Sequence, residues 1–402
     1  MQPIDTTLQP AARRRTDPAR RHIESLLVHA DVRLDGGRPW DIRLRDPSVP
    51  ARVMALGSLG LGEAYMDGHW DCDRLDQLFD RLLRAQLDRR VGSLATLLHH
   101  LRARWLNLQT QRRAWRVGQV HYDLGNEFYA AMLDRRMTYT CGFWENCSTL
   151  DEAQEHKLDL VCRKLGLQPG MRVLDIGCGW GSFMQFAAER YGVQCTGVTI
   201  SAEQARFGRE RCAGLPVEFR LADYRTLTGR FDRIVSLGMF EHVGRKNYAT
   251  YMNVAARCLV DDGLFLLHTI GRNEAGHGTD PWIHRYIFPN GELPTISDIG
   301  RTCEDRFVVE DLHSFGADYD RTLMAWHANV QATLPRLAAK FDTRFLRMWC
   351  YYLLQCAGAF RARELQLWQW VLSKPGRPGV YRRVSSARAA PAGKATQTAR
   401  QV

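Results

Sequence analysis

From residue 171 onward, short apolar runs alternate with stretches of helical spacing, and this alternation constrains the fold more than any other feature of the sequence. Buried apolar strands separated by helices are typical of a parallel, doubly wound α/β sheet. Helices are expected at 183–191, 201–212 and 247–259. The strands are expected at MRVLDIGCG, VQCTGVTI, VEFRLADY, FDRIVSLG and GLFLLHTI, and two later strands at RFVVEDLHSFG and LQLWQWVLSK.

The chain before this region has a different pattern. The β-like runs VRLDGG and WDIRLRD precede LGSLGLGEAYMDGHWDCDRLDQLF, whose later part has helical spacing, and together they indicate a small α+β unit. Because single cores rarely grow beyond about 250–300 residues, a chain of 402 residues is expected to form two domains. We predict a disordered N-terminus at 1–21, an N-terminal domain with a basic linker at 22–116, the sheet-containing domain at 117–385 and a basic disordered tail at 386–402.

Helical insertions are expected near the end of the sheet-containing domain. Residues 322–364 have helical spacing, and GHGTDPWIHRYIFPNGELP precedes them. Doubly wound sheets bind their ligands at the carboxyl ends of the strands. We therefore expect these insertions to cover that edge of the sheet as a lid.

Cysteine usage and hydropathy indicate the compartment. The eleven cysteines are scattered without a C-x-x-C pair, which argues against a disulfide framework and a zinc cluster. The sequence MQPIDTTLQPAARRR contains no apolar signal region, and no run approaches the ~20 apolar residues that span a bilayer. We expect a protein of the reducing cytoplasm that is neither secreted nor transmembrane, and we expect no metal site.

Positive charge is concentrated in two places. The net charge is +11, and the chain after Pro375 contains six basic residues and no acid. Residues 81–116 contain nine arginines and one acid, Asp88, with Leu and Trp at roughly helical intervals. Such a stretch suits an anionic surface, either lipid headgroups or nucleic acid. The alternative is a solvated helix face between domains.

The segment VLDIGCGWGSF places three glycines between a strand and a helix. Gly177, Gly179 and Gly181 let backbone amides and the helix N-terminus approach a polar ligand closely. The G-x-G-x-x-G pattern is imperfect, since its sixth position, 182, is Ser and not Gly, and Phe183 follows. A pyrophosphate-binding interpretation is therefore weak.

An acid two residues before the first glycine gives this loop a specific likeness. With Asp175 in that place, the segment resembles the cofactor loop of S-adenosylmethionine (SAM) methyltransferases. The resemblance implies that the loop packs beside the methionine part of SAM and that Asp175 organises it. The second strand departs from the usual ribose-binding acid and ends in GVTIS, where Thr199, Ser201 and Gln204 are the candidate cofactor contacts.

The third strand ends in LADYR, which carries two further cofactor candidates. Asp223 could accept a hydrogen bond from the adenine amino group, and Tyr224 could stack on the ring. The alternative is that Asp223 caps a turn.

Two candidate catalytic groups follow neighbouring strands. Glu241 in SLGMFEHVG and His268 in LHTIG are expected at adjacent carboxyl edges of the sheet. From spacing alone they could be a general base pair, metal ligands together with His242, or buried residues that satisfy each other.

Nine segments in order resemble the cyclopropane-fatty-acyl-phospholipid synthase family over residues 22–385. That family transfers a methyl group from SAM to the cis double bond of an unsaturated phospholipid acyl chain and closes a cyclopropane ring. The segments are LGLGEAYMDGHWDCDRLD, HYDLGNEFY, VLDIGCGWGSF, GVTISAEQ, FDRIVSLGMFEHVG, LFLLHTIG, YIFPNGELP, FGADYDRTLMAW and CAGAFRARELQLWQ.

The resemblance implies a bound bicarbonate as the base that removes a proton from the new methyl group. An anion beside a glutamate requires a shared proton, so Glu241 is expected to orient His268 or the bicarbonate hydroxyl. The family's positions for bicarbonate correspond to Cys141, Glu241, His268, Ile270 and Tyr319, and Tyr139 and Thr140 are expected beside SAM.

A carbocation formed on the acyl chain requires a dry site with aromatic faces around it. The sequence departs from the expected YSCAYW and has YTCGFW, so Gly142 and Phe143 bear on acyl-chain preference. The aromatic candidates are Tyr139, Phe143, Trp144, Trp282 and Phe288.

The resemblance also implies partners. The N-terminal domain is expected to bind lipid and to deliver the acyl chain, with its arginines contacting headgroups of an anionic inner leaflet. A homodimer is expected. The alternatives are a SAM enzyme that methylates a double bond without ring closure, or one that acts on a small amine or hydroxyl. Nucleic-acid binding is not expected, since no aromatic RNA-binding run is present.

Overall fold

The N-terminal unit is a small α+β assembly. The computed structural model describes residues 17–87, 125–275 and 278–384. In the first of these ranges, β1 (Arg43–Leu44) pairs antiparallel with β2 (Trp70–Asp71), as the α+β pattern predicts. The run VRLDGG forms only an isolated bridge between Leu34 and Ile42. The helices are α1 (Pro18–Leu27), α2 (Val49–Leu56), α3 (Ser58–Met66) and α4 (Leu75–Arg84), with a 3-10 turn at Val28–Ala30.

The predicted disorder of residues 1–21 is wrong for its last part, because α1 begins at Pro18. The Asp17 side chain accepts a hydrogen bond from the Ala19 amide at 3.0 Å, and proline at the first helical position has its φ preset for a helix. Residues 1–16, 88–124 and 385–402 lie outside the described residues, so the linker, the boundary at 117 and the tail stay predictions.

The seven-stranded sheet confirms the predicted Rossmann-like α/β class. Its order is β5-β4-β3-β6-β7-β9-β8, and the first five strands in that order run parallel. The sequence predicts no direction for the two later strands, and β9 is antiparallel to both of its neighbours. The strands are β3 (Arg172–Ile176), β4 (Gln194–Thr199), β5 (Val217–Leu221), β6 (Phe231–Leu237), β7 (Leu259–Arg272), β8 (Val308–Ser314) and β9 (Leu365–Ser373).

Helices cover both faces of the sheet, and those predicted from spacing lie within two residues of their expected bounds. The segment 322–364, which is predicted to be helical, overlaps the last three helices that the structure describes. The helices after the gap are α5 (Asn126–Met132), α6 (Leu150–Lys164), α7 (Ser182–Tyr191), α8 (Ala202–Arg211), α9 (Tyr248–Cys258), α10 (Pro281–Tyr286), α11 (Ile296–Cys303), α12 (Ala317–Ala332), α13 (Leu334–Ala338) and α14 (Thr343–Arg361).

The N-terminal unit shares one hydrophobic core with the helices that follow β8. On α14, the Tyr351 ring lies 5.4 Å from Tyr65 and 5.1 Å from Phe79 of the N-terminal unit, measured between centroids. Arg347 forms an ion pair of 2.9 Å with Asp71 and donates to the Tyr65 carbonyl at 2.6 Å. The two predicted domains therefore pack along α14.

Three global features bear on function. No helix in the described ranges is long and apolar enough to cross a membrane. Within the same ranges, no cluster of three or more His, Cys, Asp or Glu side chains could hold a metal ion. All eleven cysteines are free thiols.

Candidate functional site

A cavity of about 600 Å³ runs from the N-terminal unit to the carboxyl edge of the sheet. Its N-terminal end is walled by apolar side chains of α1, α2 and α4, such as Ile23, Val53 and Leu82. The predicted site residues that line it are Tyr139, Thr140, Asp175, Gly177, Gly179, Gln204, Glu241, Ile270 and Tyr319. Those that do not line it are Cys141, Gly181, Thr199, Ser201, Asp223, Tyr224 and His268.

The loop between β3 and α7 depends on left-handed glycines. Gly177, Gly179 and Gly181 have φ values of 88°, 53° and 82°, a region that favours glycine. A Cβ at Gly177 would lie 2.6 Å from Cγ of Met239, and one at Gly181 would collide with Phe219. At Gly179 no atom lies within 4 Å of such a Cβ, so the backbone there faces open space.

Asp175 lies in β3 and faces the same space with an unsatisfied oxygen. Its side chain is buried, and Oδ1 has no hydrogen-bond partner among the described residues. Burial raises the pKa of Asp175 to about 7, and the charge of Lys157 opposes that rise. A buried acceptor that lacks a partner is suited to a ligand that brings donors.

The end of β4 forms a local hydrogen-bond network. Thr199 Oγ1 donates to Gln204 Oε1 at 3.0 Å and accepts from the Ser201 amide at 3.1 Å. Ser201 Oγ accepts from the Gln204 amide at 3.3 Å and so caps α8. Gln204 is the member of this group that reaches the cavity, and the other two position it.

Asp223 is engaged in capping the 3-10 turn Tyr224–Thr226. Its carboxylate accepts the Arg225 amide and pairs with the Arg225 guanidinium, each at 2.9 Å. The Tyr224 ring packs 5.2 Å from Tyr251 in the core. This geometry matches the alternative in which Asp223 caps a turn. The adenine contact of Asp223 stays a prediction, and it would compete with these two bonds.

Glu241 lies in the 3-10 turn Phe240–His242, directly after β6. Oε1 accepts the Ile270 amide at 2.6 Å, whereas Oε2 is buried without a partner among the described residues. Burial raises the pKa of Glu241 to about 7. The carboxyl can therefore exist as an acid or as a base near neutral pH.

His268 lies in the middle of the sheet, paired in register with Leu237 and Gln369. Its Nδ1 is 3.3 Å from Gln369 Nε2, and its buried Nε2 has no partner among the described residues. Burial lowers the pKa of His268 well below its ordinary value, so the ring is neutral. Gln369, rather than Glu241, contacts the ring, and the expected orientation of His268 by Glu241 is not found.

Tyr319 lines the cavity, whereas Cys141 does not. The Cys141 thiol is fully buried and donates to the Gly142 carbonyl at 3.1 Å. Burial raises its pKa well above the ordinary value, so it is not a thiolate nucleophile. Tyr319 lines the cavity, and its ring lies 4.6 Å from Phe360.

The predicted aromatic faces divide in the same way. Tyr139 and Phe288 line the cavity. Phe143 and Trp144 do not, and Trp282 packs into the core, where its Nε1 donates to Met66 Sδ at 3.3 Å. Tyr352, which the sequence did not single out, lines the cavity with its hydroxyl 3.0 Å from that of Tyr139.

Two buried polar residues of α6 were missed from the sequence. Gln154 Nε2 donates to the Thr140 carbonyl and Lys157 Nζ to the Thr140 hydroxyl, both at 2.7 Å. The available signal was local, because both fall among the positions of α6 that are buried, beside residues such as Leu158. A polar side chain inside an apolar stripe calls for a buried partner.

Comparisons with known proteins show the family to which the chain belongs. A family model described as mycolic acid cyclopropane synthetase matches residues 109–370. A cyclopropane-fatty-acyl-phospholipid synthase of Escherichia coli (strain K12) is 52% identical over 88% of this chain and 93% of that protein. A tuberculostearic acid methyltransferase of Mycobacterium tuberculosis is 33% identical over 89% of each.

Solved structures give the same result for the fold. A cyclopropane synthase from Mycobacterium tuberculosis covers 67% of this chain and 100% of its own, with 33% identity and a TM-score of 0.62. A mycolic acid cyclopropane synthase complexed with SAH and CTAB covers 65% and 98%, with 35% identity and a TM-score of 0.61. Each of them covers about two thirds of this chain.

Proposed function

We propose that this chain, which belongs to the mycolic acid cyclopropane synthetase family, transfers a methyl group from SAM to the cis double bond of unsaturated phospholipid acyl chains and closes a cyclopropane ring. It is a SAM-dependent methyltransferase. The observation that supports the lipid substrate is that one continuous cavity is apolar where the N-terminal helices wall it and polar at the glycine loop. A long apolar chain and a polar cosubstrate can therefore meet in one continuous cavity.

The residues present fit SAM. The open backbone at Gly179 leaves room beside the loop, and the unsatisfied Asp175 Oδ1 and the buried amide of Gln204 are suited to its polar groups. SAM supplies an electrophilic methyl on a sulfonium. Asp175 and Gln204 would hold and orient it, and Thr140 would flank it.

Water exclusion is the main task of the surrounding side chains. An alkene is a weak nucleophile, and a carbocation on the acyl chain would be captured by water. The apolar walls at Leu323 and Phe360 keep the space dry, and Tyr139 and Phe288 present aromatic faces that stabilise positive charge.

We infer that bicarbonate is the base, held between Glu241 and His268. Glu241 Oε2 and His268 Nε2 are buried polar atoms without a partner among the described residues, which is a fit for a small ligand with both donors and acceptors. A protonated Glu241 would donate to the anion, and Tyr319 would face it from the cavity wall. The Ile270 amide is engaged by Glu241, so an anion bound there would have to replace that bond.

The proposed membrane contact depends on two parts of the chain. Apolar residues of α1 and α2 wall the N-terminal end of the cavity, which supports lipid delivery from that side. Eight of the ten arginines of the described N-terminal unit are paired with carboxylates, so attachment to an anionic inner leaflet of the cytoplasmic membrane would rest mainly on 88–116, outside the described residues. A homodimer stays a prediction. The paired arginines are Arg20, Arg38, Arg43, Arg45, Arg52, Arg74, Arg81 and Arg84.

The proposal is tested by incubating the full chain with SAM and vesicles of unsaturated phospholipid, followed by mass analysis of the acyl chains. We expect a gain of one CH₂ and a product without a reducible double bond. A gain of one CH₂ with a reducible double bond would indicate methylation without ring closure. The absence of a lipid product, with methylation of RNA or a small amine instead, would refute the proposal.

The same assay tests the identity of the base independently of methyl transfer. In buffer freed of carbon dioxide we expect the rate to fall and to recover on adding bicarbonate, because the proton of the new methyl group would lose its acceptor. A rate that does not respond to bicarbonate would leave methyl transfer intact and exclude bicarbonate as the base.

A further inference from the structure

Lys157 is a buried cation behind the SAM end of the cavity. Its side chain is 0% exposed, and Nζ donates to the Thr140 hydroxyl at 2.7 Å. Burial lowers the pKa of Lys157 to about 8, against the opposing effect of Asp134, Cys141 and Asp175. A buried ammonium is costly unless carboxylates compensate it, so its presence demands a reason.

The two nearby carboxylates differ in what else they bind. Asp134 already accepts the amides of Thr138 at 2.7 Å and Arg136 at 3.0 Å. Asp175 has an oxygen without a partner among the described residues, and Lys157 is the charged group that acts on its pKa. Lys157 is therefore the electrostatic counterpart of the acid at the glycine loop.

The same helix also fixes Thr140 from two directions. Gln154 holds its carbonyl and Lys157 its hydroxyl, each at 2.7 Å. On the opposite side, a Cβ at Gly238 would lie 2.7 Å from the Thr140 methyl, so that methyl packs closely on the end of β6. Thr140 is held between α6 and the sheet, on the cavity wall.

We propose that Lys157 is a positioning residue of the SAM site, which fixes Thr140 and supplies the counter-charge that keeps the Asp175 carboxylate ionised. This inference rests on the proposed placement of SAM at the glycine loop. Lys157 does not line the cavity and acts through these two residues.

The test measures SAM affinity by calorimetry from about pH 6 to about pH 9 for the full chain and for Lys157→Met. Without the ammonium, Asp175 should hold its proton to higher pH, and the neutral acid attracts the cationic cosubstrate less. We expect affinity at neutral pH to fall about tenfold, and the midpoint of its rise with pH to move up by about one unit. Restoration of affinity at high pH distinguishes lost charge from lost structure.

Lys157 itself and Glu241 on the cavity wall titrate in this range, with pKa values of about 8 and about 7, so each variant is compared with the unmodified chain at the same pH. The remaining groups around Asp175 do not titrate there. Burial raises the pKa of Cys178 on the loop, Cys195 on β4 and Tyr251 on α9 above their ordinary values. Lys157 also faces Cys141 and His268, which stay neutral for the same reason.

Lys164 is a matched control on the same helix. It is also buried, its pKa is also lowered to about 8 by burial, and its ion pair of 3.4 Å is with Asp311 on β8. Lys164→Met should lower thermal stability without moving the pH midpoint of SAM affinity. An equal shift in both variants, or none in Lys157→Met, would overturn the inference.

Two further variants keep the test informative if Lys157→Met folds poorly. Thr140→Val keeps both charges, so SAM affinity should fall with an unchanged midpoint, and a moved midpoint would refute the charge role. Lys157→Met combined with Asp175→Asn should show the same pH profile of SAM affinity as Asp175→Asn alone, and a further shift of the midpoint would contradict the charge role. Failure of the unmodified chain to bind SAM would instead refute the proposed function.

Discussion

Burial of the Glu241 carboxyl lowers the stability of the fold at high pH, although the proposed reaction uses this carboxyl. Burial raises its pKa from 4.5 to about 7, so the ionised form is disfavoured in the folded chain. The stability that this group contributes is fully present below the unfolded pKa and is lost as pH rises through the folded pKa. That loss is of the order of about 3 kcal/mol by pH 8.

Glu241→Gln should therefore stabilise the protein and impair the enzyme. The amide keeps an acceptor for Ile270 and cannot ionise, so at pH 8 its free energy of unfolding should exceed that of the unmodified chain by up to about 3 kcal/mol. At about pH 5 the difference should shrink, while turnover falls at both pH values and SAM affinity changes little. Urea unfolding measures the first effect, with Glu304→Gln at an exposed carboxylate as the control. Equal behaviour of the two variants would contradict this account.

At the scale of elements, α4 and α14 approach each other through a glycine. A Cβ at Gly358 would lie 2.6 Å from Phe79 Cβ and 2.8 Å from both the Asp76 carbonyl oxygen and the Asp80 amide nitrogen. Because the backbone atoms of a helix cannot move individually, a side chain at Gly358 would push the two helices apart. This contact joins the N-terminal unit to the rest of the chain.

Gly358→Ala should destabilise the protein by about 1–3 kcal/mol, the usual range for overpacking. Gly300 supplies the matched control, since it lies inside α11 and a Cβ there meets no atom within 4 Å. Gly300→Ala should stabilise by up to about 1 kcal/mol, because alanine has less backbone entropy to lose. Chemical denaturation of both variants measures the difference, and effects of the same sign would refute the packing argument.

At the scale of the whole molecule, free positive charge is unevenly distributed. Ion pairs occupy arginines of the described N-terminal unit, such as Arg52 with Glu63 and Asp67. The concentrations of basic residues that the sequence shows lie at 88–116 and in the tail, outside the described residues. The chain should bind anionic vesicles through these segments and release them at high salt.

Vesicle flotation tests that expectation with two triple variants of equal charge. Changing Arg112, Arg113 and Arg116 to Gln should weaken binding to anionic vesicles by up to about 3 kcal/mol, at ~1 kcal/mol for each basic residue near the surface. The control changes three exposed arginines of the sheet-containing part and should have a smaller effect. Equal losses would mean that net charge, and not the basic stretch, governs binding. The control residues are Arg190, Arg230 and Arg301.

The sequence by itself determined the order of strands and helices, the loop at Gly177–Gly181 and the acid at Asp175 before it. These features follow from local physics, because strand and helix periods and left-handed backbone conformations depend on near neighbours along the chain. Family likeness then indicated the chemistry, including Glu241 and Tyr319 at the cavity. The sequence could also predict the alternative in which Asp223 caps a turn, because its partner Arg225 is only two residues away.

Only the tertiary structure decided which distant groups meet. An apolar run looks the same in either direction, so β9 could not be recognised as antiparallel until its pairing with β7 and β8 was known. Gln369 reaches His268 across 101 residues. Lys157 contacts Thr140, and its charge acts on Asp175, only because α6 packs behind the sheet edge. Burial, which raises the pKa of Asp175 and Glu241 to about 7, is a property of the packed molecule and of no segment alone.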